Sequence, residues 1–226
     1  NSKKIGTPWH TRGGLGRDSN KGGIPIDNWE LTAHGLVTAI NTLEDMNSGL
    51  RINGSHVVIQ GYGNVGAPTA TKLNASGAII VGASDINVGL WEPTGLNIEQ
   101  LNSIRNTPGG LSNYNGKTKK RFNSYKVDWL LEAPCDVLVP AARPDAITAR
   151  NADRIQCKVI LQGANTPLNK MTEYYLNNRR GIISLSDFIV NSGGIIGCAV
   201  ELTMKADTVY KRKVEDNGIR LYTENL

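Results

Sequence analysis

The chain has 226 residues, 39% of them hydrophobic, with a formal net charge of +5 and three cysteines; that is enough apolar material for one large domain or two small ones, and too much for a disordered segment. Basic and acidic residues are interspersed. The densest basic runs, Lys117 to Arg121 and Lys211 to Lys213, carry no interleaved aromatics, so a solvated surface is expected rather than a nucleic-acid footprint. No run approaches the roughly eighteen apolar residues of a membrane span, and Asn1-Ser2-Lys3-Lys4 has no apolar core behind it as a secretory signal would. Cys135, Cys157 and Cys198 are odd in number, far apart and without a CxxC or a nearby histidine pair, which favours a reducing, cytoplasmic setting over a disulfide or zinc scaffold.

The first stretch, to about Ile26, is rich in Gly, Arg and Pro and reads as loop. Asp27 with Glu30 three residues on has capping-box logic, opening a helix that carries Leu31, Leu36, Ile40 and Leu43 toward Gly49. A strand of Val57, Val58 and Ile59 then feeds three glycines, and a helix through Thr69 to Ala75 ends at Gly77 as a left-handed cap. Ala78 to Ser84 is a buried strand reaching Asp85. Glu92 to Gly95 is a turn, Asn97 starts a short helix, and a polar loop runs to about Lys120. Cys135 to Pro140, Lys158 to Gly163 and Gly181 to Ser186 are further short apolar strands, with helical segments at Asn151 to Ile155 and Lys170 to Asn178 and a late helix from about Ile195. Nearly all-apolar strands alternating with helices predict a Rossmann-type, doubly wound α/β domain, with a mainly parallel sheet of about five strands covered on both faces and an additional edge strand allowed.

Gly61-Tyr62-Gly63-Asn64-Val65-Gly66 is G-x-G-x-x-G between a strand and a helix. In that context the first glycine permits the tight turn, the second lets a pyrophosphate approach the main chain, and the third lets helix pack on strand. Amides at the helix start, at the positive end of its dipole, then face phosphate. Pro68 fits the first turn, where its missing N–H has no partner to lose. Asp85, nineteen residues after Gly66 at the end of the next strand, can accept both ribose hydroxyls and would repel a 2′-phosphate, favouring NAD over NADP. The competing reading of Asp85 is a loop cap.

Four segments, "IQGYGNVG", "CDVLVPAARPDAIT", "LQGANTPL" and "DFIVNSGGIIG", resemble in order and spacing the cofactor domain of the glutamate/leucine/phenylalanine/valine dehydrogenase family, and most of all its glutamate dehydrogenases. "GGIPIDNWELTAHG" is similar to the family segment that reads GGIP, an acidic link, then A-T-G-x-G; the resemblance runs from about Gly13 to about Leu202. It implies oxidative deamination of an L-amino acid, with glutamate the first expectation, to a 2-oxo acid and ammonia, with hydride passing to a nicotinamide cofactor.

Carried over by motif, Thr32 matches a threonine that holds the nicotinamide carboxamide, here flanked by Leu31 and Ala33 rather than alanine and glycine. Gly61, Gly63, Asn64, Val65 and Gly66 match the phosphate turn. Ala141 and Ala142 match a small pair beside the adenosine, Asn165 an asparagine near the nicotinamide ribose, and Asn191, followed by Ser192, one facing nicotinamide and substrate. Cys198 stands where glutamate-specific members carry a serine for the substrate carboxylate, and a thiol is a weak donor. Each has a structural alternative: a plain helix residue for Thr32, close packing for the alanines, loop caps for the asparagines and a core position for Cys198.

The family's glycine-flanked lysine, second lysine and aspartate have no match, so the expectation is a single nucleotide-binding domain over residues 1–226, partnered in the full protein by an N-terminal catalytic domain and assembling as a homo-oligomer. A catalytically silent nucleotide-binding regulatory module of the same fold is the competing reading.

Overall fold

A computed structural model of the chain describes Gly16 and residues 18–21, 23–46 and 48–203. The loop expected over residues 1–15 and the basic run Lys211 to Lys213 lie outside the described residues. Seven strands, β1 (His56–Gln60), β2 (Ile79–Ser84), β3 (Val88–Trp91), β4 (Lys120–Asn123), β5 (Val137–Pro140), β6 (Val159–Leu161) and β7 (Ile183–Leu185), form one sheet in the order β4-β3-β2-β1-β5-β6-β7. β2, β1, β5, β6 and β7 run parallel, and β3 and β4 add antiparallel to one edge. The five parallel strands are those expected. The antiparallel pair extends the sheet by two strands where the sequence suggested a loop and at most one edge strand.

Helices α1 (Leu31–Asp45), α2 (Gly66–Ala75), α3 (Ile98–Ile104), α4 (Lys170–Arg180), α5 (Asp187–Val190) and α6 (Gly193–Thr203) surround the sheet, with a 3-10 segment at Ser124–Glu132. Successive side chains of one strand enter opposite cores, as the period of two dictates. Val57, Ile59, Val137 and Val139 pack with Leu36, Ile40 and Leu73 of α1 and α2, whereas Val58 and Leu138 pack with Leu130, Leu131 and Leu176 on the other face. Both faces are therefore covered, which is why the strands carry no polar alternation. A small third cluster of Ile24, Leu31 and Val200 joins α6 to α1.

Local signals act mostly as their chemistry requires. The Asn97 side chain caps α3 through the Gln100 amide at 2.9 Å, and Asn169 caps α4 through Thr172 at 2.9 Å. Gly77, with φ +90°, closes α2; a Cβ there would lie 2.4 Å from Asn53 Oδ1. The capping box at α1 is not formed. Glu30 precedes the helix in the left-handed region at φ 55° and its side chain makes no cap bond. The turn before it is closed by main-chain bonds from Trp29 to Pro25 (2.9 Å) and from Leu31 to Ile26 (3.1 Å), which leaves both acidic side chains to reach α2 and the glycine turn before it. Glu30 pairs with Lys72 at 2.9 Å, and Asp27 accepts from Asn64 Nδ2 at 3.2 Å.

Candidate nucleotide-binding site

The strand order places β2 on one side of β1 and β5 on the other, so the direction of sheet building switches at β1, and a crevice opens beyond the carboxyl ends of β1 and β5. The glycine turn lies there. Gly61 has φ +94°, and a Cβ on it would sit 2.7 Å from Ala142 Cα; a Cβ on Gly66 would sit 2.0 Å from the Gly61 carbonyl oxygen and 2.9 Å from Ile59 Cγ2. Around the corresponding point on Gly63 nothing lies within 4 Å. The first and third glycines are thus demanded by the protein's own packing, while the second faces open space.

The turn is held from below. The amides of Gly61 and Tyr62 both donate to the Ser84 carbonyl, at 3.1 and 2.6 Å. Tyr62 is buried, and its hydroxyl donates to Asn102 Oδ1 at 3.0 Å, while Asn102 Nδ2 donates to Thr71 at 3.0 Å, tying the turn to α3 and α2. Burial pushes the Tyr62 phenol well above its ordinary pKa, so it stays a neutral donor. Arg105, just past α3, places Nη1 3.2 Å from the Gly63 carbonyl.

A cavity of about 640 Å³ extends from the turn, lined among others by Gly61, Gly63, Asp85, Arg105, Ala142 and Arg143. The carboxylate of Asp85 lies at its wall with both oxygens engaged: Oδ1 accepts from Asn87 (2.8 Å) and Val88 (2.9 Å), and Oδ2 from the Leu111 amide at 2.8 Å. The loop-capping role is therefore present. Arg143 is paired with Asp128 at 2.7 Å. Gln60, buried at the end of β1, directs its amide nitrogen toward Asp128 (3.5 Å), and its buried Oε1 has no partner among the described residues. Ala141 and Ala142 have packing duties as well: a Cβ on Gly163 would come within 2.9 Å of Ala141 Cβ, and Ala142 abuts Gly61.

The remaining expected residues fall outside that cavity. Asn64 is exposed and spends its amide on Asp27. Val65 is half-buried against the core, and Gly66 begins α2. Asn165, after β6, and Asn191, after α5, meet directly, Asn191 Nδ2 donating to Asn165 Oδ1 at 2.9 Å. Thr32, in the first turn of α1, places its hydroxyl 3.2 Å from where Gly194 would carry a Cβ, so the "NSGG" segment approaches α1 at that threonine. Cys198 lies half-buried on α6, one helical turn beyond Gly194; burial, then the Glu201 carboxylate, push its thiol pKa up, leaving a neutral weak donor. Among the described residues no group of three or more His, Cys, Asp or Glu could hold a metal ion, and no helix is long and apolar enough to cross a membrane.

The sequence profile of the glutamate/leucine/phenylalanine/valine dehydrogenases matches residues 22–218. The chain belongs to this family. An NADP-specific glutamate dehydrogenase of Saccharolobus shibatae is 37% identical over 187 residues, 82% of this chain and 42% of that protein. A catabolic NAD-specific glutamate dehydrogenase of Bacillus subtilis is 35% identical over 164 residues, 73% of this chain and 37% of that one. The structure of Plasmodium falciparum glutamate dehydrogenase 2 superposes with a TM-score of 0.66 at 29% identity, covering 88% of this chain and 45% of that one. The hetero-hexameric Thermus thermophilus glutamate dehydrogenase gives 0.66 at 23% identity over 86% and 45%, a likeness of fold. The chain spans about two fifths of the length of the curated relatives it matches.

Several residues of the candidate site carry no sequence signal. Arg105 stands 42 residues from the glycine whose carbonyl it meets. Asp187 fixes the "GAN" loop by accepting the Thr166 amide at 2.7 Å, with Thr166 held at φ 46°. Only for Tyr62 was a signal available: an aromatic between two turn glycines has to be buried beneath the turn or obstruct it.

Proposed function

We propose that this chain is the nucleotide-binding part of an amino-acid dehydrogenase, and that the cavity beyond β1 holds the adenosine and diphosphate of a nicotinamide cofactor. One observation carries the reading: of three turn glycines, two are forced by packing and the third opens on empty space, as expected if a ligand, not the fold, needs the missing side chain. The residues fit such a group. The amides from Gly63 onward, at the start of the ten-residue α2, would receive the diphosphate, and the Asp85 carboxylate would accept from the adenosine ribose. Asn165, Asn191 and Thr32 would orient the nicotinamide end.

Bound there, the nicotinamide would accept hydride from the α-carbon of an L-amino acid, glutamate being the substrate that the relatives' names favour. This chain's share is to hold the cofactor rigidly and to keep its face turned toward groups supplied from elsewhere in the full protein, which we take to form a homo-oligomer. Calorimetric titration of the full protein with NAD and with NADP tests the binding half, and glutamate-dependent reduction of the cofactor tests the rest. Absence of binding to either nucleotide defeats the reading. Binding with no turnover on any amino acid supports the silent module instead.

A further inference from the structure

Refusal of a 2′-phosphate would rest on Asp85, and the fold has already used most of that carboxylate. Three main-chain amides, from Asn87, Val88 and Leu111, occupy it at 2.8 to 2.9 Å. A carboxylate offers about four lone-pair positions, so roughly one is left, too few to grip both hydroxyls of a ribose. The same three N–H dipoles answer much of its field.

A cation stands close by. A Cβ on Gly110 would lie 2.4 Å from Asp85 Oδ2 and 3.8 Å from the Arg105 carbonyl oxygen, so the arginine's main chain passes beside the acid. Its guanidinium reaches from there to the Gly63 carbonyl at 3.2 Å, spanning the interval between the acid and the phosphate turn, which is where the adenosine ribose of a dinucleotide lies. That bond uses one of about five N–H donors. The other arginine of the cavity, Arg143, is matched by Asp128 at 2.7 Å, whereas Arg105 pairs with no carboxylate among the described residues. A half-buried guanidinium that pairs with no carboxylate among the described residues, lining the same cavity as a carboxylate already taken up by amides, makes a site that accepts an anion as well as a neutral diol.

We propose that Arg105 is the counter-ion of a 2′-phosphate, so that the site takes NADP as well as NAD. The inference rests on the dinucleotide reading above and adds the residue that sets cofactor choice. It is tested by titration calorimetry of the full protein and its R105A and R105K variants with NAD and NADP. The expected result is an NADP dissociation constant within about tenfold of that for NAD. R105A should weaken NADP by about tenfold or more and NAD by less than about threefold, with most of the loss restored in R105K. Should R105A fail to fold, R105Q, which keeps a donor for the Gly63 carbonyl but no charge, carries the same comparison. Tight NAD with NADP weaker by more than about a hundredfold overturns the inference and leaves the dinucleotide site standing. Equal weakening of both cofactors in the variant also overturns it, by placing the guanidinium on the diphosphate. Failure of the wild type to bind either nucleotide removes both readings.

Discussion

Asn191 Nδ2 donates to Asn165 Oδ1 at 2.9 Å, joining two loops that leave the sheet from different strands. The bond is reinforced one residue away by the Thr166 amide on Asp187. The two asparagines therefore act as one unit, each holding the other's amide plane. Replacing Asn191 by alanine is expected to cost about 1 kcal/mol of stability and to lower kcat/KM of the full protein far more than that figure implies, because Asn165 loses its orientation. A double-mutant cycle with Asn165→Ala, read by chemical denaturation and by turnover, should show coupling between the two; strict additivity in both would separate them.

The glycine turn predicts opposite phenotypes for two similar substitutions. Gly66→Ala drives a methyl to 2.0 Å from the Gly61 carbonyl, and forced overpacking of this kind costs about 1–3 kcal/mol or more. Gly63→Ala meets nothing, so thermal unfolding should be changed by less than about 0.5 kcal/mol. The same variant should bind dinucleotide at least about tenfold more weakly, since the methyl occupies the space left for the diphosphate. Retained cofactor affinity in Gly63→Ala would contradict the site.

Asp136 gives the acid limb of stability a named source. Burial pushes its carboxyl up, but Lys158 Nζ at 2.8 Å and the His56 amide at 2.8 Å outweigh that and hold the pKa below the usual carboxylate range. A depressed folded-state pKa contributes stability at pH above the unfolded value of about 3.9, and that contribution is lost as pH falls through the folded value. Asp136→Asn should lower stability at neutral pH and flatten the decline as pH falls below about 4. Urea denaturation at a series of pH values checks both.

Phe188, Ile189 and Ile195, which flank Asn191 in the sequence, are 86%, 67% and 74% exposed. Exposed large apolar side chains favour association. The 226-residue chain by itself is expected to show concentration-dependent sedimentation that F188S with I195S reduces.

Legibility in the sequence followed how local each cause was. The parallel strands were readable because each is a short β-branched run with cover on both faces, and α2 because three glycines and Pro68 lie within eight residues. β4 was not, since its residues, Lys120-Arg121-Phe122-Asn123, are mostly polar on an exposed edge and lack an alternating pattern. The α1 entry misled because Asp27 and Glu30 have capping-box spacing while their side chains are claimed by Asn64 of the glycine turn and Lys72 of α2. Asp85 was found at the right strand end; its three amide partners, the last from Leu111, depend on loop folding that no pattern announces. Arg105 belongs to no motif at all.

The turn before α1 grips both the glycine turn, through Asp27 on Asn64, and α2, through Glu30 on Lys72, and α1 carries Thr32 one residue inside its start. Like two jaws cut from a single casting, the proposed diphosphate end and the proposed carboxamide end keep a set spacing. A force that tilted α1 would have to carry α2 with it, so on the proposed reading the fold measures the length of its ligand before any chemistry begins.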